Sequence, residues 1–444
     1  MDVELVKSNL SGDFRIPPSK SHSMRALVLA CFADGVSHID SLLYSDDTKA
    51  CIAVFCKLGC HIDILRLDNC SVDVRVQPPS GGLLFYLQNT TDAKFEIECG
   101  NSGTLLYFLA VIFSFVKGVT FTFSGDVSLS KRPLMPIVEL YEQRGVFYKT
   151  NNSHLPLTVQ GNFSDTYSIF LSGKFSQVVS GLFLATAIFS SKLELTLSYL
   201  WEAPYIVMTK QWLFELGITF DIFDTSKNFF LLDARMKSIK GFEKKILADW
   251  SSAAFPLLMA ISSQSPLCLT HLFYDSVQGD MAILTYLREF GCNFDFDTSS
   301  ARLHVLDTSF LKGSIIDIQD TPDLLPVIAA IASFAVGRTK IYNLGITRYK
   351  ESNRVLSTIS VLTKFGCSCY EKNGALVVEN AYTQSPDERI IDTFFDHRIA
   401  LTACALALAY DTKTLVKDCQ CYSVSFPNFF DDLKKCGGKF KLYE

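Results

Sequence analysis

The stretch GNSGTLLYFLAVIFSFVKG, Gly100 to Gly118, decides the fold. It opens on small and polar residues and then runs apolar on every side from Leu105 to Val116, broken only by Ser114. A helix that is apolar all round belongs inside a core rather than on a surface. It stops at Lys117, short of the roughly 18–20 residues a membrane span needs. The same design returns five times: SKSHSMRALVLACFADG from Ser19, KFSQVVSGLFLATAIFS from Lys174, ADWSSAAFPLLMAISS from Ala248, DTPDLLPVIAAIASFAVG from Asp320 and FFDHRIALTACALALAY from Phe394. Lys20, Asn101, Ser176, Asp249, Thr321 and Asp396 mark the six openings, spaced 72 to 81 residues apart.

A second register confirms the period. Six amphipathic runs end in glycine followed by an extended segment: KLGCHIDI, QRGVFYK, ELGITFDI, EFGCNFDF, KFGCSCY and KCGGKFKL. Their glycines are Gly59, Gly145, Gly217, Gly291, Gly366 and Gly437, and glycine just past a helix is the usual left-handed cap. Strand-like runs such as FTFSG, KLELTLSYL, LCLTHLF and TKIYNLGI lie between them. The chain therefore reads as six copies of one α/β unit, each with a buried helix and an outer, amphipathic one. Three units can wrap three buried helices in three sheets, so six predict two lobes, as a length of 444 residues also suggests.

Composition narrows the function only by exclusion. Net charge is −5, from 41 basic and 46 acidic residues, without a Lys/Arg block, so a nucleic-acid partner is not expected. The amino terminus, MDVELVKSNLSGDF, lacks the pattern of a signal peptide, and the expectation is a soluble cytoplasmic chain without a membrane partner. The 14 cysteines include no C-x-x-C pair and read as reduced structural thiols. The i,i+2 pairs Cys367/Cys369 and Cys419/Cys421 suggest strand alternation rather than a structural zinc site.

Chemistry-grade side chains gather at the amino ends of the buried helices, where unpaired N–H groups and a partial positive charge attract anions. Lys20, Arg25, Arg132, Lys350, Arg354 and Arg398 add cations there. In a chain of net negative charge, such a gathering points to a small polyanion as ligand. Asp323 and Glu351 are the carboxylates at comparable places. Asp323 reads locally as a helix cap or a general base, and Glu351 as an ion-pair partner of Arg354 or a proton carrier.

These residues resemble the 5-enolpyruvylshikimate-3-phosphate synthase family of enolpyruvyl transferases along essentially the whole chain. The motifs are PPSKSHSMRAL (Pro17 to Leu27), GNSGT (Gly100 to Thr104), SKRPL (Ser130 to Leu134), FSQ (Phe175 to Gln177) and PY (Pro204, Tyr205). They continue with TPD (Thr321 to Asp323), YKESNR (Tyr349 to Arg354), DHRIA (Asp396 to Ala400) and SFPNFF (Ser425 to Phe430). The resemblance implies a two-lobed inside-out α/β barrel of six βαβαββ-type repeats, three per lobe. One lobe is expected from residues 22–245, the other from 1–21 with 246–444.

The implied reaction joins shikimate 3-phosphate and phosphoenolpyruvate, with no metal or cofactor, in an enzyme expected to be a monomer. Lys20, Gly103, Arg132, Gln177, Arg354 and Arg398 match the family's phosphoenolpyruvate site, with Thr104 expected nearby. Ser21, Arg25, Ser176, Gln177, Tyr205, Asp323 and Lys350 match its shikimate 3-phosphate site. Asp323, Glu351 and Lys20 carry the catalytic expectation, Asp323 as base for the 5-hydroxyl and Glu351 as proton carrier for the methylene. Gly103 leaves the phosphoenolpyruvate pocket open, so glyphosate should compete there, although Phe108 replaces a common proline one turn on.

Four departures from the pattern bear on ligand contacts. Phe175 and Glu202 stand where phosphate-binding serines are usual, Ser425 where part of the family has lysine, and Ile346 replaces an asparagine. The sister enzyme acting on UDP-N-acetylglucosamine is disfavoured, because Val127 occupies the place of its reactive cysteine. A non-catalytic protein of the same fold would be expected to lack the acid–base pair, which is present.

Overall fold

The computed structural model describes residues 1–90, 94–162, 164–379 and 388–443. The six helices read as apolar all round are Lys20–Cys31, Gly103–Phe113, Ser176–Ile188, Trp250–Ser262, Leu325–Ala332 and His397–Ala407. Nearly every residue in them is buried. Small residues let them approach one another: a Cβ added at Gly181 would lie 3.0 Å from the Val111 Cβ of the neighbouring helix. Polar caps fix where several begin. Ser102 Oγ accepts from Leu105 N, Asp249 from Ser252 N and Asp396 from Arg398 N.

The amphipathic partners are Asp46–Lys57, Met135–Arg144, Ala203–Glu215, Ile283–Phe290, Arg354–Lys364 and Phe429–Lys435, each burying one face. All six are followed by the expected glycine, with φ between +62° and +92°. This left-handed step turns the chain out of each helix and into a strand.

Six four-stranded sheets share one topology. In one, Lys94–Glu98 lies parallel to Thr120–Ser124, which pairs antiparallel with His154–Gln160, itself antiparallel to Phe147–Asn151. The chain order is thus strand, buried helix, parallel strand, outer helix, hairpin. Thr166–Leu171 with Lys192–Leu197 and Ile315–Asp317 with Arg338–Tyr342 open two further sheets in the same way. The other three are completed by remote strands. Gly12–Arg15 pairs with Leu267–Thr270, Glu243–Lys245 with Ser37–Leu43, and Asp2–Val6 enters the sheet of Lys413–Lys417 and Lys439–Tyr443.

The chain divides into two compact units, Met1–Ser19 with Leu247–Glu444, and Lys20–Ile246. Each holds three sheets around buried helices, an inside-out barrel. Among the described residues no helix is long and apolar enough to cross a membrane. All 14 cysteines are free thiols, and the sulfurs of Cys404 and Cys419 stand 3.7 Å apart. The strand expectation fails for Cys419 and Cys421, which lie in the 3₁₀ helix Cys419–Val424. Spacing over three residues cannot separate a strand from a tight turn, and here Asp418, at φ +50°, ends the preceding strand before the pair.

Candidate functional site

In the unit formed by Met1–Ser19 and Leu247–Glu444, three chain segments converge on Arg354. Asp323 sits on the 3₁₀ turn Pro322–Leu324, at the entrance of the buried helix Leu325–Ala332. Arg354 is the first residue of its helix, capped by Asn353. Asp396 caps the helix His397–Ala407 after Phe394 and Phe395, which hold φ of +53° and +56°. Two successive left-handed non-glycine residues are costly, and strain of that kind collects where a side chain must be aimed.

Arg354 has a side chain only 1% exposed and meets three carboxylates. Its Nε donates to Asp396 Oδ2 at 2.9 Å, its Nη1 to Asp323 Oδ1 at 2.5 Å, and its Nη2 to Glu351 Oε2. Arg398 Nη2 donates to the other Asp323 oxygen at 3.2 Å, and Lys350 Nζ lies 3.6 Å from Asp323 Oδ1. Burial pulls the Arg354 guanidinium down, but Asp396, Glu351 and Asp323 outweigh it and hold the proton above the usual arginine value. Three cations and three carboxylates thus neutralise one another. The Asp323 carboxylate engages all three of these cations.

Glu351, Asp396 and His397 bring ligand-type atoms within 4.8 Å of one another, a spacing a metal ion would accept. Two of the three, Glu351 and Asp396, already bond the Arg354 guanidinium.

In the unit Lys20–Ile246 several expected residues meet partners of the same unit. Lys20 opens the first buried helix and pairs at 3.2 Å with Asp47, which is itself buried. Arg132 Nη2 donates to the carbonyl and side-chain oxygens of Asn101, both at 3.2 Å. This places its guanidinium against Gly103, where an added Cβ would overlap Nη1. Thr104 follows, and its hydroxyl accepts from Gln177 Nε2 at 2.9 Å. Ser176, next to Gln177, donates from Oγ to Glu202 Oε2 at 2.8 Å.

Arg25 is buried at 2% exposure and bonds inside the unit. It donates to Thr209 Oγ1 at 2.9 Å, to the Ser21 carbonyl at 2.9 Å and to the Tyr205 carbonyl at 2.8 Å. Its guanidinium also lies over the Phe108 ring, at 5.2 Å. Burial lowers its pKa to about 9, with Tyr205 partly restoring it.

Several participants carried no sequence signal of their role. Asp47 lies in the first turn of the helix Asp46–Lys57; one of its oxygens is paired with Lys20 while the other, Oδ1, has no hydrogen-bond partner among the described residues. Asp280, on the 3₁₀ turn Gly279–Ala282, accepts from Ser251 Oγ through one oxygen and leaves Oδ1 unpaired. Burial pushes its pKa up to about 7, with Asp323 adding to the rise and Arg398 opposing it. Of the four departures, Ile346 is buried in the 3₁₀ turn Gly345–Tyr349 and Ser425 is buried with an unpaired hydroxyl. Phe175 packs its ring 6.1 Å from that of Tyr107.

Comparison with known proteins bears on the family and the fold. The family model of EPSP synthase (3-phosphoshikimate 1-carboxyvinyltransferase) matches residues 6–433. The 3-phosphoshikimate 1-carboxyvinyltransferase of Ruminiclostridium cellulolyticum is 32% identical over 444 residues, covering 100% of both chains. That of Methanocorpusculum labreanum is 30% identical over 442 residues, covering 99% of this chain and 100% of its own. Among solved structures, EPSP synthase from Acinetobacter baumannii superposes with a TM-score of 0.77 at 21% identity, covering 100% of each chain, a likeness of fold. With a family model spanning nearly its whole length and full-length relatives at 30% identity and above, the chain belongs to the EPSP synthase (3-phosphoshikimate 1-carboxyvinyltransferase) family.

Proposed function

We propose that this chain moves the enolpyruvyl group of phosphoenolpyruvate to the 5-hydroxyl of shikimate 3-phosphate, giving 5-enolpyruvylshikimate 3-phosphate and phosphate. The observation that carries the reading is the charge balance around Asp323: one carboxylate flanked by Arg354, Arg398 and Lys350. Each cation is of the type that binds phosphate or carboxylate, and arginine does so with a planar fork.

In this reading Arg354 and Arg398 exchange internal carboxylates for the anionic groups of phosphoenolpyruvate. Asp323 then accepts the 5-hydroxyl proton as that oxygen bonds to the enol carbon. Glu351 pairs with Arg354 in the free chain and becomes available to carry a proton once that guanidinium turns to ligand. It delivers the proton to the methylene, giving a tetrahedral adduct. Phosphate departs with the carbon–oxygen electron pair, the methyl returns a proton to Glu351, and the proton on Asp323 leaves with phosphate. The cations act by stabilising charge as it develops on the phosphate.

Lys20, Arg132, Gly103 and Gln177 are assigned to phosphoenolpyruvate, and Ser21, Ser176, Gln177, Tyr205, Asp323 and Lys350 to shikimate 3-phosphate. Arg25 is assigned to the second group as well. Its internal bonds to Ser21 and Tyr205 support a role in holding their backbone. A monomeric, cytoplasmic enzyme completes the reading, and light scattering of the purified chain tests the first part.

The test of the reaction is direct. Phosphate should be released from phosphoenolpyruvate only when shikimate 3-phosphate is added, in equal amount to the enol ether formed. No release at saturating concentrations of both would overturn the assignment.

A further inference from the structure

Glu202 is a carboxylate 3% exposed, inside the unit Lys20–Ile246, at the amino end of the helix Ala203–Glu215. It holds a left-handed backbone, φ +55° and ψ +39°, uncommon for a side chain of its size. Its Oε2 accepts from the hydroxyl of Ser176, which is 1% exposed and opens the 13-residue helix Ser176–Ile188. That helix starts at Phe175 with no side-chain cap. A helix start with unpaired N–H groups and a first-turn hydroxyl favours an anion, and here the chain supplies the anion itself.

A serine hydroxyl has one hydrogen and gives it to one acceptor at a time. A ligand phosphate on Ser176 and the Glu202 carboxylate on Ser176 are therefore alternatives. They also repel one another, and burial removes the solvent that would screen them.

We propose that Glu202 is an acceptor-specificity residue: it competes with a phosphorylated acceptor for Ser176 and narrows the preference for that acceptor over its unphosphorylated counterpart. The inference rests on the proposed reading of Ser176 as a contact of the acceptor's phosphate. A neutral hydroxyl in place of the phosphate meets no repulsion from Glu202 and can donate to it, so the residue penalises one acceptor and tolerates the other. Specificity of this kind is a difference between two affinities, set as much by repulsion as by attraction.

The experiment compares wild type with Glu202→Ser and Glu202→Gln. For each, kcat/KM is measured with shikimate 3-phosphate and with shikimate. The ratio of the two should rise at least tenfold in Glu202→Ser, through a lower KM for shikimate 3-phosphate. It should rise less in Glu202→Gln, which keeps the shape and the acceptor oxygen but loses the charge. The KM for phosphoenolpyruvate should move less than twofold. An unchanged or lower ratio in both variants overturns the proposal, and Glu202→Gln decides alone should Glu202→Ser fail to fold.

Calorimetric binding of shikimate 3-phosphate without phosphoenolpyruvate separates this proposal from the reaction itself. If wild type binds but does not turn over, the reaction reading fails. Tighter binding by the variants still supports the role of Glu202, and equal or weaker binding sinks it.

Discussion

Replacing Arg354 with methionine keeps the length of the side chain and removes its charge and its hydrogen bonds. Four of those bonds reach three carboxylates: two to Asp396, at 2.9 and 3.4 Å, one to Asp323 at 2.5 Å and one to Glu351. Breaking one buried ion pair costs about 3–5 kcal/mol, so three independent pairs would cost roughly 9–15. They are not independent. Asp323 keeps Arg398 and Lys350, and Asp396 keeps the Ser352 hydroxyl at 3.0 Å and the Arg398 backbone N–H at 2.9 Å.

The loss should therefore stay near the value for a single pair, about 4 kcal/mol. That corresponds to about a thousandfold rise in the amide hydrogen exchange of the helices Arg354–Lys364 and His397–Ala407, in the regime where exchange reports opening free energy. Mass spectrometry of exchanging peptides reads this directly, with the helix Gly103–Phe113 of the other unit as an unaffected control. An acceleration below tenfold would refute the idea that Arg354 holds these segments together.

Other consequences can be checked alongside. Asp323→Asn should bind both ligands yet lose turnover by about two to four orders of magnitude, the usual worth of a positioned general base; a wild-type rate removes its role. Gly103→Ala should force the Arg132 guanidinium to withdraw by about 1 Å, since the new methyl overlaps Nη1. At an effective dielectric near 20, moving a unit charge from 4 to 5 Å from its partner costs about 0.8 kcal/mol. A weakened charged hydrogen bond adds a similar amount, so the KM for phosphoenolpyruvate should rise about tenfold; an unchanged KM contradicts the contact. Asp280 tests the pH dependence of stability. Its folded pKa of about 7 lies above the ordinary 3.8, so its contribution is complete below about pH 4 and is lost as pH rises through 7. Asp280→Asn, which does not titrate, should gain about 2–3 kcal/mol on wild type between pH 5 and pH 8 in urea unfolding, and a pH-independent difference would dismiss the assignment.

The parts of the fold legible in the sequence are those set by local physics. A left-handed residue after a helix strongly favours glycine, so Gly59, Gly145, Gly217, Gly291, Gly366 and Gly437 announce six helix ends, and all six adopt positive φ. The apolar helices were equally visible, because a run such as Leu105 to Val116 has no polar face to turn outward. Functional side chains could be placed at helix starts for the same reason. Their pairings could not. Asp47 meets Lys20 across 27 positions, Asp396 meets Arg354 across 42, and Thr209 meets Arg25 across 184. Nothing in local pattern encodes such distances. Asp47 and Asp280 consequently carried no mark of their role, and the internal bonds of Arg25 to Thr209 and Tyr205 were equally hidden.

These pairings have a common form. Arg354, Arg398 and Lys350 face Asp323; Lys20 faces Asp47; Ser176 faces Glu202. Groups assigned to ligand anions are held in the free chain by carboxylates of the chain itself. Arg132 and Arg25 differ, the first taking the neutral oxygens of Asn101 and the second those of Thr209, Ser21 and Tyr205. A buried cation left without a partner would be strongly destabilising, so a site that must gather cations has to supply anions until its ligands arrive. Binding then becomes an exchange of internal anions for external ones, and its free energy is the difference between two similar interactions. Where the internal partner is a carboxylate needed for proton transfer, as Asp323 and Glu351 are proposed to be, the exchange frees the base as the ligand arrives. Where it is not, as at Glu202, the exchange only taxes the ligand. The same physics therefore assigns Asp323 and Glu202 opposite effects on turnover, and substitution at the two positions should move the enzyme in opposite directions.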